Sequence, residues 1–331
     1  YEVTLKPSGK QFVVENETTV LDAAAQAKIT LSHSCRDGSC GTCKSRLLKG
    51  QVDHPGDLDG ISEDERAEGY ILTCVAKPRS NVELESSYYP ELDGIEPAIF
   101  PCKVENIDFP AQGIAILHLR LPPNSDFRHL PGQYIELMWK AVRRSYSIAN
   151  AGYREHGIEL HICRVANGVF SQFVFEELRL GTLLRLNGPH GTFFVRDGDA
   201  PIIFLAGGTG IAPVKAMVEQ LLEQKSQRLI NIYWGISSID FLYTTLPNEW
   251  QKNHDNITFT PVLLNSDNEW RGRQGLVHQS VMADFPDLFP FEIYACGSPN
   301  MITAAKSDFL KRGLLERNFF ADAFTPFKQT Q

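Results

Sequence analysis

The sequence has no apolar run that approaches the length of a membrane span, and it has no excess of positive charge. Its 331 residues include 40 acidic and 32 basic side chains, which gives a net charge of −8. A nucleic-acid partner needs a basic surface, so this balance argues against one. The sequence also lacks internal repeats and low-complexity tracts. We therefore expect a globular protein of two or three domains with neither a membrane nor a nucleic acid as partner.

The N-terminal part is more acidic than the rest. Residues 1–90 carry fourteen acidic and ten basic side chains, a net charge of −4. Such a surface suits docking to a basic patch on a protein partner. It is equally typical of an ordinary solvated surface.

Four of the seven cysteines form the most informative pattern, C-x4-C-x2-C followed by a lone cysteine 31 residues later. They are Cys35, Cys40, Cys43 and Cys74. This spacing is typical of a plant-type [2Fe-2S] cluster, in which two thiolates bind each iron. Gly38 and Gly41 give the loop the backbone freedom to wrap around the sulfides. Because such a cluster carries single electrons, the pattern predicts a protein that moves electrons.

Two other uses of these cysteines remain open. Zinc sites usually pair cysteines in two separate short knuckles, whereas here three crowd one loop. A structural disulfide is the second alternative. The remaining Cys102, Cys163 and Cys296 are scattered and odd in number, which argues against a secreted disulfide framework. We expect a cytoplasmic location.

The pattern changes along the chain and predicts three domains. Residues 1–88 hold the four cysteines, and the Pro- and Gly-containing residues 89–98 are typical of a linker. Residues 99–197 contain short, closely spaced strands, which favour an antiparallel β-barrel. In residues 198–331 apolar strands alternate with helices, which indicates a doubly wound parallel sheet.

Two weak motifs in the strand-rich part suit a flavin. In Arg144–Ser147 the Arg can hold a pyrophosphate, the Tyr can lie on the isoalloxazine ring and a Ser can bond a ring nitrogen. Gly168–Ser171 opens a helical run to Leu178, where backbone N–H groups attract phosphate. Taken alone, the first is equally a polar sheet edge and the second a simple helix cap.

Two further motifs suit a nicotinamide dinucleotide. Gly207–Pro213 (GGTGIAP) follows an apolar strand and opens a helix, where close backbone approach and the helix N-terminus favour a pyrophosphate. It matches neither the G-x-G-x-x-G fingerprint nor a P-loop. Cys296–Pro299 follows the last apolar strand, at a sheet edge where ligands bind in such folds. A tight turn and a buried core cysteine are the structural alternatives.

The order of these motifs makes the chain resemble the ferredoxin–NADP reductase superfamily, in the subgroup with an N-terminal plant-type ferredoxin domain. The flavin motif matches Arg144, Tyr146 and Ser147, and the Gly-x-x-Ser motif matches Gly168 and Ser171. The glycine-rich loop and the Cys296–Gly297 pair complete the match. The resemblance implies a multidomain α+β and α/β protein: a β-grasp ferredoxin domain, an antiparallel β-barrel FAD domain and a doubly wound parallel-sheet NAD domain.

The resemblance also implies roles for individual residues. Arg144 would hold the FAD pyrophosphate, Tyr146 would stack on the flavin and Ser147 would bond near N5. Cys296 would pack near the nicotinamide C4, and Phe324 would cover the flavin face, so that Ser147, Cys296 and Phe324 are the predicted catalytic residues. The other predicted cofactor contacts are Ser145, His161, Ile162, Gly168, Val169, Phe170, Ser171, Gly208, Thr209, Gly210, Ile211, Ala212, Gly297 and Ser298.

Within this superfamily the chain resembles the reductases of CDP-6-deoxyhexulose 3-dehydrases, which act in 3,6-dideoxyhexose biosynthesis. The stretches SYYPEL (87–92), RRSYSIAN (143–150), GPHGTFFVR (188–196) and YACGS (294–298) carry this resemblance. It implies that electrons pass from NADH through FAD and the [2Fe-2S] cluster to a pyridoxamine-phosphate-dependent sugar dehydratase. The reductase component of an aromatic or alkane oxygenase is the alternative. A bare electron carrier and a redox sensor fit the motifs less well.

The expected preference for NADH over NADPH depends on the absence of a basic residue at one position. A 2′-phosphate needs Arg or Lys just after the second strand of a nucleotide domain. Residues 235–240 (GISSID) contain neither, and Asp240 would repel a phosphate. The sequence therefore predicts a preference for NADH.

Overall fold

The computed structural model describes residues 1–15, 17–33, 35–152, 157–265 and 270–324. The chain divides into two compact units. The first consists of Tyr1–Glu96 with His190–Thr192, Ala323 and Phe324, and the second of Pro97–Pro189 and Phe193–Asp322. The predicted linker, 89–98, lies mostly in the first unit, where Leu92 is buried.

The first unit is built on a five-stranded sheet with the order β2-β1-β7-β3-β5. Its elements are β1 (Glu2–Lys6), β2 (Gln11–Val13), α1 (Val20–Gln26), β3 (Lys44–Lys49), β4 (Val52–Asp53), α2 (Glu63–Ala67), β5 (Tyr70–Leu72), β6 (Lys77–Pro78) and β7 (Val82–Glu85). β1 pairs antiparallel with β2 and parallel with β7. Thr19 caps α1 by accepting a hydrogen bond from Asp22 N, and the buried face of the helix packs into the same apolar core as β1 and β7. This arrangement confirms the β-grasp prediction.

The second unit begins with a six-stranded sheet with the order β11-β10-β13-β8-β9-β12. Its elements are β8 (Ala98–Ala111), β9 (Ile114–Arg120), β10 (Tyr134–Trp139), β11 (Val142–Ser147), β12 (Ile158–Cys163), α3 (Val169–Gln172), a π-helical turn (Phe173–Glu177) and β13 (Leu183–His190). A bridge between Ile148 and Leu160 joins the two edges of the sheet, and Ala149 N donates to Glu159 O at 2.8 Å. The predicted barrel is therefore closed.

The helix expected over residues 171–178 differs in the structure. It begins earlier, at Val169, and passes into the π-helical turn, where Leu178 N donates to Phe173 O at 2.8 Å. The wider turn leaves Phe173 and Val174 both buried against the barrel core. Burial of apolar side chains has thus overridden the regular helix that propensity favours.

The second sheet of this unit has the order β17-β16-β15-β14-β18-β19, with parallel pairs from β17 through β18. Its elements are β14 (Ile202–Gly207), α4 (Ile211–Glu223), β15 (Ile230–Ile236), α5 (Leu246–Asn253), β16 (Ile257–Leu263), β17 (Arg273–Gln274), α6 (Val277–Asp284), β18 (Glu292–Gly297), α7 (Pro299–Lys311) and β19 (Phe319–Ala323). Ile202–Ala206 are fully buried, as expected for a central strand covered on both faces. This confirms the doubly wound prediction and places the ends of β14 and β18 side by side.

Candidate redox site

The four predicted cluster cysteines lie together in two pairs. Cys40 N donates to Cys35 Sγ at 3.4 Å, and the sulfurs of Cys43 and Cys74 are 3.3 Å apart. Among the described residues, no group of three or more His, Cys, Asp or Glu side chains closes around a single metal ion. Two pairs of thiols are the ligand set that two irons need.

In each pair one thiol has a lower pKa than the other and ionises more readily. A hydrogen bond from Cys35 lowers the pKa of Cys40 to about 7, and one from Cys74 lowers the pKa of Cys43. The same hydrogen bonds raise the pKa values of Cys35 and Cys74, because each pair shares a proton. Iron binds thiolates, so a bound cluster would displace the remaining protons of both pairs to the solvent.

A glycine outside the cysteine motif supports the cluster loop. Gly60 N donates to Gly38 O at 3.0 Å, and a Cβ at Gly60 would lie 2.6 Å from Gly41 N. Gly41 has φ of +75°, and its own Cβ would lie 2.7 Å from Gly60 O. The two chain segments therefore touch backbone to backbone. Gly60 lies outside the spaced cysteine motif along the chain, so no sequence signal marks it.

The flavin motif lies on β11, where alternate residues face opposite sides. Arg144 and Tyr146 share one face and are half-buried, while Ser145 is exposed and Ser147 is buried on the other face. The Tyr146 ring lies 5.7 Å from that of Phe170, at 47°, and burial raises the pKa of its hydroxyl. The strand thus brings Tyr146 to Phe170, another predicted cofactor contact, and turns Ser147 away from both.

Ser147 has a property expected of a ligand-binding group. Its Oγ is buried and finds no hydrogen-bond partner among the described residues. An unsatisfied buried hydroxyl is unfavourable, and a ring nitrogen of a bound flavin would satisfy it. The residues present therefore fit a flavin at this strand end.

The Gly168–Ser171 motif forms a closed local turn. Ser171 Oγ accepts from Val165 N at 3.1 Å and donates to Gly168 O at 2.9 Å. Gly168 is the N-cap of α3, and Val169 is exposed. The hydroxyl of Ser171 thus shapes the loop, and phosphate binding by its N–H groups stays a prediction.

The two nicotinamide motifs meet at the ends of β14 and β18. A Cβ at Gly210 would lie 2.3 Å from Cys296 O, so only glycine allows this contact. Gly208 and Thr209 form a 3-10 turn before Ile211 and Ala212 open α4. The structure thus brings the glycine-rich loop against the Cys296–Gly297 pair, as a shared dinucleotide site requires.

Cys296 and Ser298 lie at the end of β18. Cys296 is fully buried, and burial, with the charge of Asp322, raises its pKa well above the ordinary value. It is therefore a neutral thiol. Ser298 caps α7 by accepting from Met301 N at 3.3 Å. Contact of either residue with a nicotinamide stays a prediction.

His161 and Ile162 lie on β12 and are buried. The Ile162 side chain belongs to the barrel core. His161 is hydrogen-bonded through both ring nitrogens, to Glu159 Oε1 at 2.7 Å and to Tyr243 OH at 2.8 Å. Burial lowers the pKa of His161, so its ring is neutral. Its predicted cofactor contact is not tested by these bonds.

Glu159 joins this histidine to Lys215, and neither Glu159 nor Lys215 belongs to a predicted motif. Burial favours the neutral carboxyl, but the hydrogen bond from His161 and the charge of Lys215 prevail and lower the pKa of Glu159 to about 2. No local motif marks these residues, because 56 positions separate Glu159 from Lys215.

Phe324 follows β19, is half-buried and belongs to the first unit. Its predicted role as the cover of the flavin stays a prediction.

When bound, the nicotinamide supplies a hydride, the flavin divides the electron pair and the cluster carries single electrons.

No helix among the described residues combines the length and the hydropathy that crossing a bilayer requires.

Comparison with known proteins identifies three domains in the order of the sites. Residues 3–79 match the 2Fe-2S iron-sulfur cluster binding domain, 101–195 the oxidoreductase FAD-binding domain and 204–307 the oxidoreductase NAD-binding domain. The predicted cofactors are confirmed at this level: a [2Fe-2S] cluster, FAD and a nicotinamide dinucleotide.

Relatives match the chain over its length. It is 50% identical to CDP-6-deoxy-L-threo-D-glycero-4-hexulose-3-dehydrase reductase of Yersinia pseudotuberculosis serotype I, covering 98% of this chain and 99% of that protein. It is 33% identical to the reductase component DmpP of phenol 2-monooxygenase from Pseudomonas sp., covering 98% and 94%. The crystal structure of Amycolatopsis cytochrome P450 reductase GcoB superposes with a TM-score of 0.80 at 28% identity, covering 98% and 99%. The chain belongs to the same family of oxidoreductases as CDP-6-deoxy-L-threo-D-glycero-4-hexulose-3-dehydrase reductase and carries its electron-transfer domains for [2Fe-2S], FAD and NAD.

Proposed function

We propose that this protein takes hydride from NADH and delivers single electrons to a pyridoxamine-phosphate-dependent 3-dehydratase that acts on CDP-4-keto-6-deoxyglucose. The observation that carries the proposal is the 50% identity to a reductase named for such a dehydrase. Identity to the phenol 2-monooxygenase reductase component is 33% over a similar length. We also propose a cytoplasmic location, which is supported by the absence of a disulfide among the described cysteines.

Each residue of the site has a proposed role in binding or positioning a cofactor. Ser147, whose hydroxyl no described residue satisfies, would bond near flavin N5. Arg144 would hold the FAD pyrophosphate, and Tyr146 would pack on the ring. Gly208–Ala212 would bind the dinucleotide pyrophosphate at the start of α4, and Cys296, a neutral buried thiol, would pack near the nicotinamide C4.

Anaerobic coupled turnover tests the proposal. The purified protein is mixed with NADH, the dehydratase and CDP-4-keto-6-deoxyglucose, and the 3-deoxygenated sugar is measured against a control without the reductase. Product well above the control is the expected result. If NADH reduces a dye but no deoxysugar forms, the dehydratase assignment is wrong, and an oxygenase is the next partner to test.

The preference for NADH has a separate test. Asp240 lies in a groove of about 680 Å³ whose lining, among the described residues, contains no Lys or Arg. We expect kcat/KM to be at least about tenfold higher with NADH than with NADPH. Asp240→Arg should raise the relative use of NADPH, whereas Asp255→Arg, an equal charge change on an exposed loop, should not. Higher kcat/KM with NADPH for the unaltered protein would refute the preference.

A further inference from the structure

A buried polar cluster in the second unit has no part in the roles proposed above, although one member, His161, is among the predicted cofactor contacts. We call it the Lys215 cluster; its members are Lys215, Glu159, Glu219, His161 and Tyr243. Lys215 is 8% exposed and His161 5%. Charged groups are costly to bury. Apolar side chains of similar size in their place often stabilise a protein equally well or better. Stability alone therefore gives a weak reason for such a cluster.

Lys215 has three close polar partners. Its Nζ donates to Ala149 O at 3.0 Å and to Glu159 Oε2 at 3.2 Å, and it forms an ion pair with Glu219 Oε1 at 2.7 Å. An ammonium group offers both N–H donors and a positive charge, so all three contacts are favourable. Two hydrogen bonds and one ion pair therefore fix the direction of this side chain.

The histidine extends the cluster with a defined direction. A carboxylate only accepts, so His161 donates from Nε2 to Glu159 Oε1. The ring is neutral, so Nδ1 accepts, and the hydroxyl of Tyr243 donates to it. An unbroken run of hydrogen bonds therefore joins Tyr243 to Lys215 through His161 and Glu159, as a rigid polar network requires.

The ends of the cluster reach both predicted cofactor motifs. Ala149, which accepts from Lys215, comes two residues after Ser147. The segment that follows is also bonded to the cluster, because Ala151 N donates to Glu219 Oε2 at 3.1 Å. Lys215 and Glu219 both lie on α4, the helix that the glycine-rich loop opens. At the other end the ring of Tyr243 packs edge-on against Trp234 at 5.3 Å, and Trp234 Nε1 donates to Gly208 O at 2.8 Å.

We propose that the Lys215 cluster is a positioning device that fixes the strand end carrying Ser147 against the helix and loop expected to hold the nicotinamide dinucleotide. Lys215, Glu159 and Tyr243 are then positioning residues that set the distance between hydride donor and acceptor. The inference rests on the proposed roles of Ser147 and Gly208–Ala212 and does not depend on the partner.

Lys215→Met is the first test, made in the holoenzyme. In stopped-flow mixing with saturating NADH we expect the rate of flavin reduction to fall by about 10- to 100-fold, because small misplacements of reacting groups are costly. The dissociation constant of ADP-ribose should stay within about threefold, since that ligand lacks the nicotinamide. The long-wavelength charge-transfer absorbance of the reduced enzyme with NAD⁺ should weaken. That readout reports ring stacking, so a merely structural role would not move it at full FAD content.

The second variant covers a failure of Lys215→Met to fold. Tyr243→Phe removes one hydroxyl and leaves no charge unpaired. Tyr233→Phe is its matched control, because Tyr233, a buried tyrosine on β15, also donates a short bond, to Asp284 Oδ2 at 2.6 Å, outside the cluster. We expect Tyr243→Phe to slow flavin reduction by about threefold or more and to weaken the charge-transfer band, and Tyr233→Phe to change neither.

The outcomes distinguish a failure of the proposed function from a failure of the positioning device. If the unaltered holoenzyme is not reduced by NADH, the proposed function fails first. If it is reduced normally and both cluster variants, with full FAD content, match it in rate and charge-transfer absorbance, the positioning device is refuted. Equal effects of Tyr243→Phe and Tyr233→Phe would also refute it, since the response would then reflect general destabilisation of the sheet.

Discussion

At the scale of single residues, Ser147 is the clearest candidate for contact with a cofactor. Its hydroxyl is buried without a partner in the part of the chain that the structure describes, although the strand offers a solvent-exposed position two residues earlier, at Ser145. Ser147→Ala removes the bond that a flavin would receive, so we expect flavin reduction by NADH to slow by about 10- to 100-fold. Thermal stability of the FAD-free protein should not fall, because an unsatisfied buried group is lost.

Stopped-flow absorbance and thermal unfolding check this prediction together. Ser86→Ala is the control, since it removes a buried hydroxyl from the first unit, where Ser86 accepts from Ser45 at 3.1 Å. If Ser147→Ala is reduced at the rate of the unaltered protein, the proposed role of Ser147 is lost.

His129 provides a prediction about pH. Its Nε2 donates to Asn150 O at 3.2 Å, and burial lowers the pKa of the ring to about 4 from the ordinary 6.5. The unfolded chain therefore takes up a proton at higher pH than the folded one. Stability should be full above about pH 6.5 and fall as pH drops toward 4, by up to about 3 kcal/mol from this residue.

His129→Gln keeps a donor for Asn150 and removes the titration. Calorimetric unfolding of the full chain at pH 7 and pH 5 should show a smaller loss of stability on acidification than in the unaltered protein. Part of the loss should remain, because burial also lowers the pKa of His161. An unchanged pH dependence in the variant would show that His129 is not protonated on unfolding in this range.

At the scale of elements, the cluster loop depends on a second loop. Gly60→Ala would place a methyl group 2.6 Å from both Gly38 O and Gly41 N, backbone atoms that cannot move without opening the loop. We expect the variant to bind less than about half of the normal cluster content, as seen in visible absorbance and iron analysis. Gly56→Ala is the matched control on the same connection, where a Cβ meets no atom of the described residues within 4 Å. Full cluster content in Gly60→Ala would show that the contact is dispensable.

The contrast between local motifs and contacts made by distant chain segments explains what the sequence could predict. Cys35, Cys40 and Cys43 are recognisable because their spacing is local, and β14 because a covered parallel strand is apolar throughout. Gly60 and Lys215 act through chain segments that are distant in sequence, so neither shows a periodic or spaced signal. The π-helical turn after α3 was missed for a related reason, since barrel packing of Phe173 and Val174 decided it. Local chemistry was therefore predictable, and contacts created by the fold were not.

At the scale of the whole molecule, the division of the chain separates the cluster domain from the flavin and nicotinamide domains, which form one compact unit. The matched domains lie in the corresponding order along the chain. Hydride transfer would thus occur within the second unit, where the Lys215 cluster lies. The first unit carries the group that gives single electrons to a partner, so the surface for partner docking is expected there.

The charge of that surface leads to a prediction about salt. Residues 1–90 have a net charge of −4, so attraction to a basic partner should weaken as the Debye length falls from about 30 Å to about 10 Å between 0.01 and 0.1 M salt. At limiting dehydratase we expect coupled turnover to fall several-fold over this range, while reduction of an uncharged quinone stays nearly constant. The exposed pair Asp57→Lys and Glu68→Lys should reduce the coupled rate at low salt, whereas Glu223→Lys and Asp255→Lys, with the same charge change in the second unit, should not. Equal effects of the two pairs, or equal salt dependence of both acceptors, would show that these acidic residues form only a solvated surface.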